Sequence, residues 1–147
     1  MSLIDWLANG WLIEHTTSPQ EIAALFRLVA RDLKDVQVPQ LSLDWRLGIA
    51  YNAALQSATA ALAAAGYRAA RESHHYRVIQ SLAHTIGADA NLITQLDMYR
   101  KKRNRSDYEL AGSVSIIEVE ELIQLAGRVH VFAKMWIRRK YPELMPK

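Results

Sequence analysis

The stretch that decides the fold is residues 43–65, with the sequence LDWRLGIAYNAALQSATAALAAA. Ser42 before it can cap a helix, and Gly66 after it can end one. Apolar residues recur along it at spacings of three and four, as on one face of a helix. Its many alanines and Gly48 allow a neighbouring backbone to approach closely. We therefore predict a central packing helix here rather than a binding site.

Two further long helices are predicted on either side of this stretch. Residues 18–21, Ser-Pro-Gln-Glu, are a typical helix start, because the serine can cap, the proline suits the first turn and the glutamate completes a capping box. That helix should run to about Val36. Residues 115–118 contain a second capping box and open a helix that should reach about Tyr141. The wide apolar surface of this last helix indicates contact with several helices or with a second chain.

The remaining segments predict shorter elements. Residues 2–8 suit a short opening helix, and residues 11–13 suit an apolar linker that the rest of the chain must cover. Ser73 and Asp89 are predicted to cap two helices in the second half of the chain. No other segment alternates polar and apolar residues with a period of two, so no β-sheet is predicted.

The composition predicts a single all-α domain. The chain has 147 residues, of which 50% are hydrophobic, which is enough for one core without disulfides or metal. We expect an up-and-down bundle of four to five helices over residues 1–147, with residues 1–17 packed on it as a short helix and linker. The absence of cysteine excludes a thiolate metal site and favours a reducing compartment, so a cytoplasmic protein is expected. Residues 53–65 are too short for a membrane span.

Positive charge is concentrated between residues 100 and 105. The five cations of this run are Arg100, Lys101, Lys102, Arg103 and Arg105. Clustered cations bind RNA or nucleotide phosphates with release of counterions, but they also suit a solvated helix end. Arg103 is the most informative of the five, because it continues the apolar line of Leu92, Leu96 and Tyr99 on one helix face. A guanidinium in that position implies either a paired carboxylate or a groove that holds an anion.

Asn104 follows Arg103 directly, and Tyr108 comes five residues after Arg103. This order resembles the signature of the HEPN superfamily, whose active members have histidine at the last position. Residues 49–54, Ile-Ala-Tyr-Asn-Ala-Ala, are similar to the family's tyrosine-containing helix of small residues. Residues 73–79 are similar to its Ser-His helix start. The resemblance covers roughly residues 45–140 and implies an all-helical bundle that is usually a homodimer and often cleaves RNA.

In active members of this family the resemblance implies RNA cleavage without a metal or another cofactor. Arg103 would neutralise the phosphate, Asn104 would match the second position, and a histidine would handle protons as the 2′-hydroxyl attacks. Tyr108 stands at that histidine position, and an unperturbed tyrosine titrates near pH 10, far from the neutral pKa that suits a general base. We therefore expect an RNA- or nucleotide-binding module with weak or absent catalysis, in a toxin–antitoxin or defence setting with a cognate antitoxin or another partner protein.

Two other hypotheses remain open on the sequence. One is a metal-independent endoribonuclease that uses Arg103, Asn104 and Tyr108, and the other is a structural module whose apolar helix faces dock another chain. The histidines do not favour catalysis, because His74 and His75 are predicted to face solvent or to cap a helix and His130 is predicted to lie in the core. No grouping of histidine with acidic residues indicates a zinc site, so no metal is predicted.

Overall fold

The computed structural model describes the backbone of residues 1–108 and 112–145, and their side chains except those of residues 105–108. The prediction of an all-α bundle is confirmed, since within these ranges the chain forms six α-helices and one small two-stranded sheet. The elements are α1 (Leu3–Ala8), β1 (Leu12–Glu14), α2 (Pro19–Asp35), α3 (Leu43–Ala64), β2 (Tyr67–Ala69), α4 (His74–Gln80), α5 (Ala90–Tyr108) and α6 (Ile116–Lys140). Single 3₁₀ turns follow α4 and α6.

Helix α3 is the centre of the bundle, as its alanine-rich sequence predicts. It packs most extensively on α6 and on α2, and it also contacts α4 and α5. Most of its side chains are buried, including Leu47, Tyr51 and Leu62. Because alanine has only a methyl side chain, the neighbouring helices pack close to the α3 backbone, and little of α3 is left for solvent.

Helix α6 is the longest helix of the described residues and lies against α3. Both arms of its capping box are present, because the Ser115 side chain accepts from the Glu118 backbone N–H and the Glu118 side chain accepts from the Ser115 backbone N–H. At about 1.5 Å per residue the helix is roughly 37 Å long. One face carries fully buried side chains: Val119, Leu122, Ala126, Val129, Ala133 and Ile137. The opposite face is open.

The predicted side-chain caps are confirmed except at Ser73. The capping box predicted at residues 18–21 is incomplete, because the Glu21 carboxylate contacts His15 and Thr17 instead of the Ser18 backbone N–H. Ser18 and Ser42 each accept a hydrogen bond from a backbone N–H in the first turn of their helices, and Asp89 accepts one from the Leu92 N–H at 2.8 Å. The prediction for Ser73 is wrong, because its side chain makes no capping hydrogen bond. Its backbone has φ 55°, the left-handed region that a residue with a Cβ rarely adopts. The chain turns sharply there to start α4.

The prediction that the chain has no β-sheet is wrong, because β1 and β2 form a short antiparallel pair. Leu12 pairs with Ala69, Ile13 with Arg68 and Glu14 with Tyr67. Strands of three residues are too short to show a period of two in the sequence. The pairing joins the first residues of the chain to the segment before α4, and Leu12 is buried there. Residues 1–17 therefore contact the bundle through Trp6 and Leu12, which belong to its core.

No helix within the described residues is both long enough and apolar enough to cross a membrane.

Candidate functional site

Helices α4 and α5 meet α3 at Tyr51, and a group of polar side chains gathers there. The Tyr51 side chain is 2% exposed, and its hydroxyl has no hydrogen-bond partner among the described residues. The guanidinium carbon of Arg103, from α5, lies 5.6 Å from the Tyr51 ring centroid. The His75 ring, from α4, lies 5.9 Å from the same ring, centroid to centroid. We call Tyr51, His75, Arg100 and Arg103 the Tyr51 cluster.

The protonation states in this cluster follow from burial and from the two arginines. Burial raises the pKa of the Tyr51 hydroxyl far above its ordinary value, although the positive charges of Arg100 and Arg103 oppose the shift. Burial also lowers the pKa of His75 below 6.5, and the charges of His74, Arg103 and Arg100 lower it further. Near pH 7 the cluster therefore combines a neutral phenol, a neutral imidazole and two guanidinium groups.

The basic run of α5 is partly neutralised by acids. Arg100 Nε donates to Asp97 Oδ1 at 2.7 Å, and Lys101 Nζ lies 3.5 Å from Asp97 Oδ2. Lys102 Nζ lies 3.2 Å from Glu118 Oε2 at the start of α6. These pairs support part of the interpretation as a solvated helix end. Asp97 nevertheless serves two cations at once, so positive charge remains in excess along this side of α5.

Of the other residues predicted from the family signature, Asn104 is the one whose side chain is described, and it does not join the cluster. Asn104 is exposed and makes no hydrogen bond within the described part of the chain. The side chains of Arg105 and Tyr108 lie outside the described residues. The structure thus places Arg103 beside a buried tyrosine and a histidine of other helices, and it does not test the role of Tyr108.

A groove runs between α4, α5 and the start of α6, beside the cluster. Its volume is about 660 Å³. We call it the α4–α5 groove, and its lining residues are Tyr76, Gln80, Thr94, Asp97, Met98, Lys101, Lys102 and Glu118. Tyr76 links the groove to the cluster, because the guanidinium carbon of Arg100 lies 5.5 Å from its ring centroid. An aromatic ring beside several cations suits a ligand with a planar base and a phosphate.

Arg77 extends this arrangement toward the start of the chain. Its guanidinium carbon lies 3.7 Å from the ring centroid of Trp11 and 5.3 Å from that of Tyr76. It makes no ion pair within the described residues. Sequence reasoning missed Tyr76, Arg77 and Trp11. The only signal in the sequence that could have pointed to them was the succession of His75, Tyr76 and Arg77. The contact between Arg77 and Trp11 depends on the pairing of β1 with β2, which was not predicted.

One of the histidines, His75, lies in a different environment from the predicted one. His74 is exposed, as expected, but the solvent-facing prediction for His75 is wrong, since it is half-buried against Tyr51. His130 lies 5.6 Å from Phe26, ring to ring, as a half-buried residue at the edge of the core. Its pKa is lowered by burial and by the charge of Lys134. His15 Nε2 lies 2.6 Å from Glu21 Oε1, far along the chain from the cluster.

Within residues 1–108 and 112–145, no three histidine or acidic side chains lie close enough together to hold a metal ion. Comparison of the chain with models of known protein families and with curated proteins found no match. The function is therefore inferred from the arrangement of side chains around Tyr51.

Proposed function

We propose that this protein is a HEPN-like RNA- or nucleotide-binding module with weak or no catalysis. The Tyr51 cluster would hold a phosphate, and the neighbouring α4–α5 groove would hold the adjoining nucleotide. The supporting observation is that Arg100 and Arg103 lie together on one side of α5, against aromatic rings of α3 and α4. Paired guanidinium groups match phosphate geometry better than lysine does.

The charge distribution supports an anionic ligand. Arg100 and Lys101 share the single carboxylate of Asp97, and Arg77 has no carboxylate partner among the described residues. A surface with unbalanced positive charge attracts nucleic acid and releases counterions on binding. The aromatic ring of Tyr76 between Arg77 and Arg100 offers a surface on which a base can stack.

Tyr51 and His75 add hydrogen-bonding groups that packing alone does not require. A buried hydroxyl without a partner costs free energy, and a bound phosphate oxygen would accept its proton in a hydrogen bond. The neutral imidazole of His75 can accept a hydrogen bond from a ribose hydroxyl. Both groups are therefore suited to a ribonucleotide, whose 2′-hydroxyl distinguishes it from DNA.

The setting of this module follows the resemblance. It includes a homodimer, a cytoplasmic location, and a role in toxin–antitoxin or defence systems with a cognate antitoxin or another partner protein. A homodimer would increase the basic surface available to one RNA strand, because each copy would contribute its own Tyr51 cluster.

The test is binding of a fluorescein-labelled single-stranded RNA of about 12 nucleotides, followed by fluorescence anisotropy. Affinity should fall steeply between about 50 and 200 mM salt, and Arg103→Ala should weaken it about tenfold. Arg27→Ala, which removes an exposed arginine of α2, is the matched control and should bind like the wild type. Equal affinity of Arg103→Ala and wild type would reject the site, and absence of binding at low salt would reject the function.

A second candidate function is a metal-independent endoribonuclease, and the observation that favours it is His75. A neutral imidazole next to two arginines can accept the 2′-hydroxyl proton as that oxygen bonds to phosphorus, while the guanidinium groups stabilise the phosphate. The P–O5′ bond then breaks, which leaves a 2′,3′-cyclic phosphate, and the departing 5′-oxygen takes a proton from the imidazolium or from water. Wild-type protein would then cleave RNA in the presence of a chelator, and His75→Asn would abolish cleavage while retaining RNA binding. Tyr108→His should raise the rate if the family position also contributes. If neither the wild type nor Tyr108→His cleaves any of several RNAs, the endoribonuclease hypothesis is rejected.

A further inference from the structure

The open face of α6 carries apolar side chains that no described element covers. Val131 is 51% exposed, Phe132 is 42% exposed and Met135 is 55% exposed. Val131 and Met135 lie on the side opposite the residues that pack against α3, and Phe132 lies about 60° around the helix from Met135, toward the buried side. A cluster of three large apolar side chains on one helix face is more typical of an interaction surface than of a solvated helix.

Charged residues border this apolar stripe on both edges. At 100° per residue, Gln124, Val131 and Met135 fall along the centre of the open face. Glu120 and Arg138 fall along one edge, and Glu121 and Arg139 fall along the other edge. All four charged residues are exposed. The Glu121 carboxylate accepts a hydrogen bond from the Tyr99 hydroxyl at 2.8 Å, which holds it at its edge.

This order of charges is self-complementary in one arrangement. When two identical helices pack antiparallel about a two-fold axis, each edge of one helix faces the same edge of the other. With the axis midway between residues 129 and 130, Glu120 comes within about 1.5 Å, measured along the helix, of the level of Arg138 of the second copy. The same register places Glu121 opposite Arg139 and Gln124 opposite Met135. Both edges thus agree on one register, and each pair occurs twice by symmetry.

We propose that the open face of α6 is the interface of an antiparallel, two-fold dimer between two copies of this chain. The proposal deepens the homodimer in the proposed function by naming its surface and register. A parallel pair is disfavoured, because it would bring the acidic ends of both helices together and the basic ends together. The surface matches a second copy because its own charges supply the complementary partner.

The dimer should be weak and concentration-dependent. One helix pair about 37 Å long covers less surface than the roughly 1,600 Å² of a standard stable interface. Two copies of Arg128, which is exposed, also lie near the axis and repel each other. We expect a reversible monomer–dimer equilibrium with a dissociation constant on the order of micromolar.

Sedimentation velocity over a concentration series tests the apolar part of the interface. Met135→Lys should weaken dimerisation about tenfold or more, because it places a charge at the centre of the contact. Ile4→Lys is the matched control, since Ile4 is 69% exposed but lies on α1, and it should dimerise like the wild type. A wild type that stays monomeric at high concentration, or a dimer that tolerates Met135→Lys, would overturn the proposal.

A charge exchange tests the register. Glu120→Arg and Arg138→Glu should each weaken the dimer roughly fivefold, because each places like charges opposite one another twice. The double variant should restore affinity close to that of the wild type. Glu72→Arg, an exposed acid away from α6, controls for the change in net charge. A double variant as weak as the two single losses combined would reject this register. RNA binding by monomeric Met135→Lys separates failure of the interface from failure of the proposed function.

Discussion

The α3–α6 contact and the α4–α5 side of the molecule are built from different side chains. Between α3 and α6, most of the buried side chains are alanine, leucine and valine. On the α4–α5 side, a buried hydroxyl, a half-buried imidazole and several arginines lie together. Apolar packing accounts for most of the first region. In the second region, the Tyr51 hydroxyl is buried without a hydrogen-bond partner among the described residues, which costs stability.

The largest expected effect is in the α3–α6 contact. Leu122→Ala removes a fully buried side chain of α6 and leaves a cavity, so it should lower the free energy of unfolding by about 3 kcal/mol. Ile117→Ala, on the same helix but 72% exposed, is the control and should change stability very little. Urea denaturation followed by circular dichroism measures both. Similar losses in the two variants would contradict the assignment of the α6 faces.

A smaller and opposite effect is expected at Tyr51. Tyr51→Phe keeps the buried ring and removes only the hydroxyl, which has no partner among the described residues. Stability should therefore stay the same or rise by about 1 kcal/mol, while RNA affinity should fall several-fold because a phosphate loses a donor. Urea denaturation and anisotropy on the same sample give both numbers. A clear loss of stability with unchanged RNA binding would show that the hydroxyl serves the fold.

The smallest expected effect is the pH dependence caused by His75. Its folded-state pKa lies below the ordinary 6.5, so the unfolded chain binds more protons than the folded chain in slightly acidic solution. The contribution of His75 to stability is fully present above about pH 6.5 and is lost as the pH falls toward the folded-state pKa.

His75→Asn should therefore lose less stability than the wild type between about pH 7 and 5.5, as measured by urea denaturation at each pH. His130 is the second histidine whose pKa is lowered by burial, so the pH profile of His130→Asn measures the contribution of that residue separately. An unchanged pH profile in His75→Asn would show that this imidazole is not held neutral by its surroundings.

The elements that local chemistry specifies could be predicted from the sequence. These signals act within one or two helical turns. They are the capping serines, the capping box at Ser115 and the periodic apolar faces of α2, α3 and α6. The same reasoning failed at Ser73, where a sharp turn between β2 and α4 overrides the capping preference of serine. It also failed for the sheet, whose strands are defined by their pairing and not by their own pattern.

The candidate site was only partly predictable, because its members come from different helices. Arg103 was found through its position in the apolar line of α5, which is a local signal. The pairing of Lys102 with Glu118, and the approach of His75 to Tyr51, depend on how α4, α5 and α6 pack. No spacing within one helix reveals such contacts. A histidine at the start of a short helix looks solvent-facing until the neighbouring helix is known.

The pairing of β1 with β2 also has a kinetic consequence. Leu12 and Ala69 are separated in sequence by both α2 and α3. Bringing these two residues together in the unfolded chain therefore costs more entropy than forming any contact between α2 and α3, which closes a shorter loop. We expect packing of α2 on α3 to bring the two strands together first, after which the strands join with little further loss of chain entropy. Trp11 reaches Arg77 only after this step. Emission from this tryptophan would therefore mark the last stage of folding, in which the wall of the candidate site is completed.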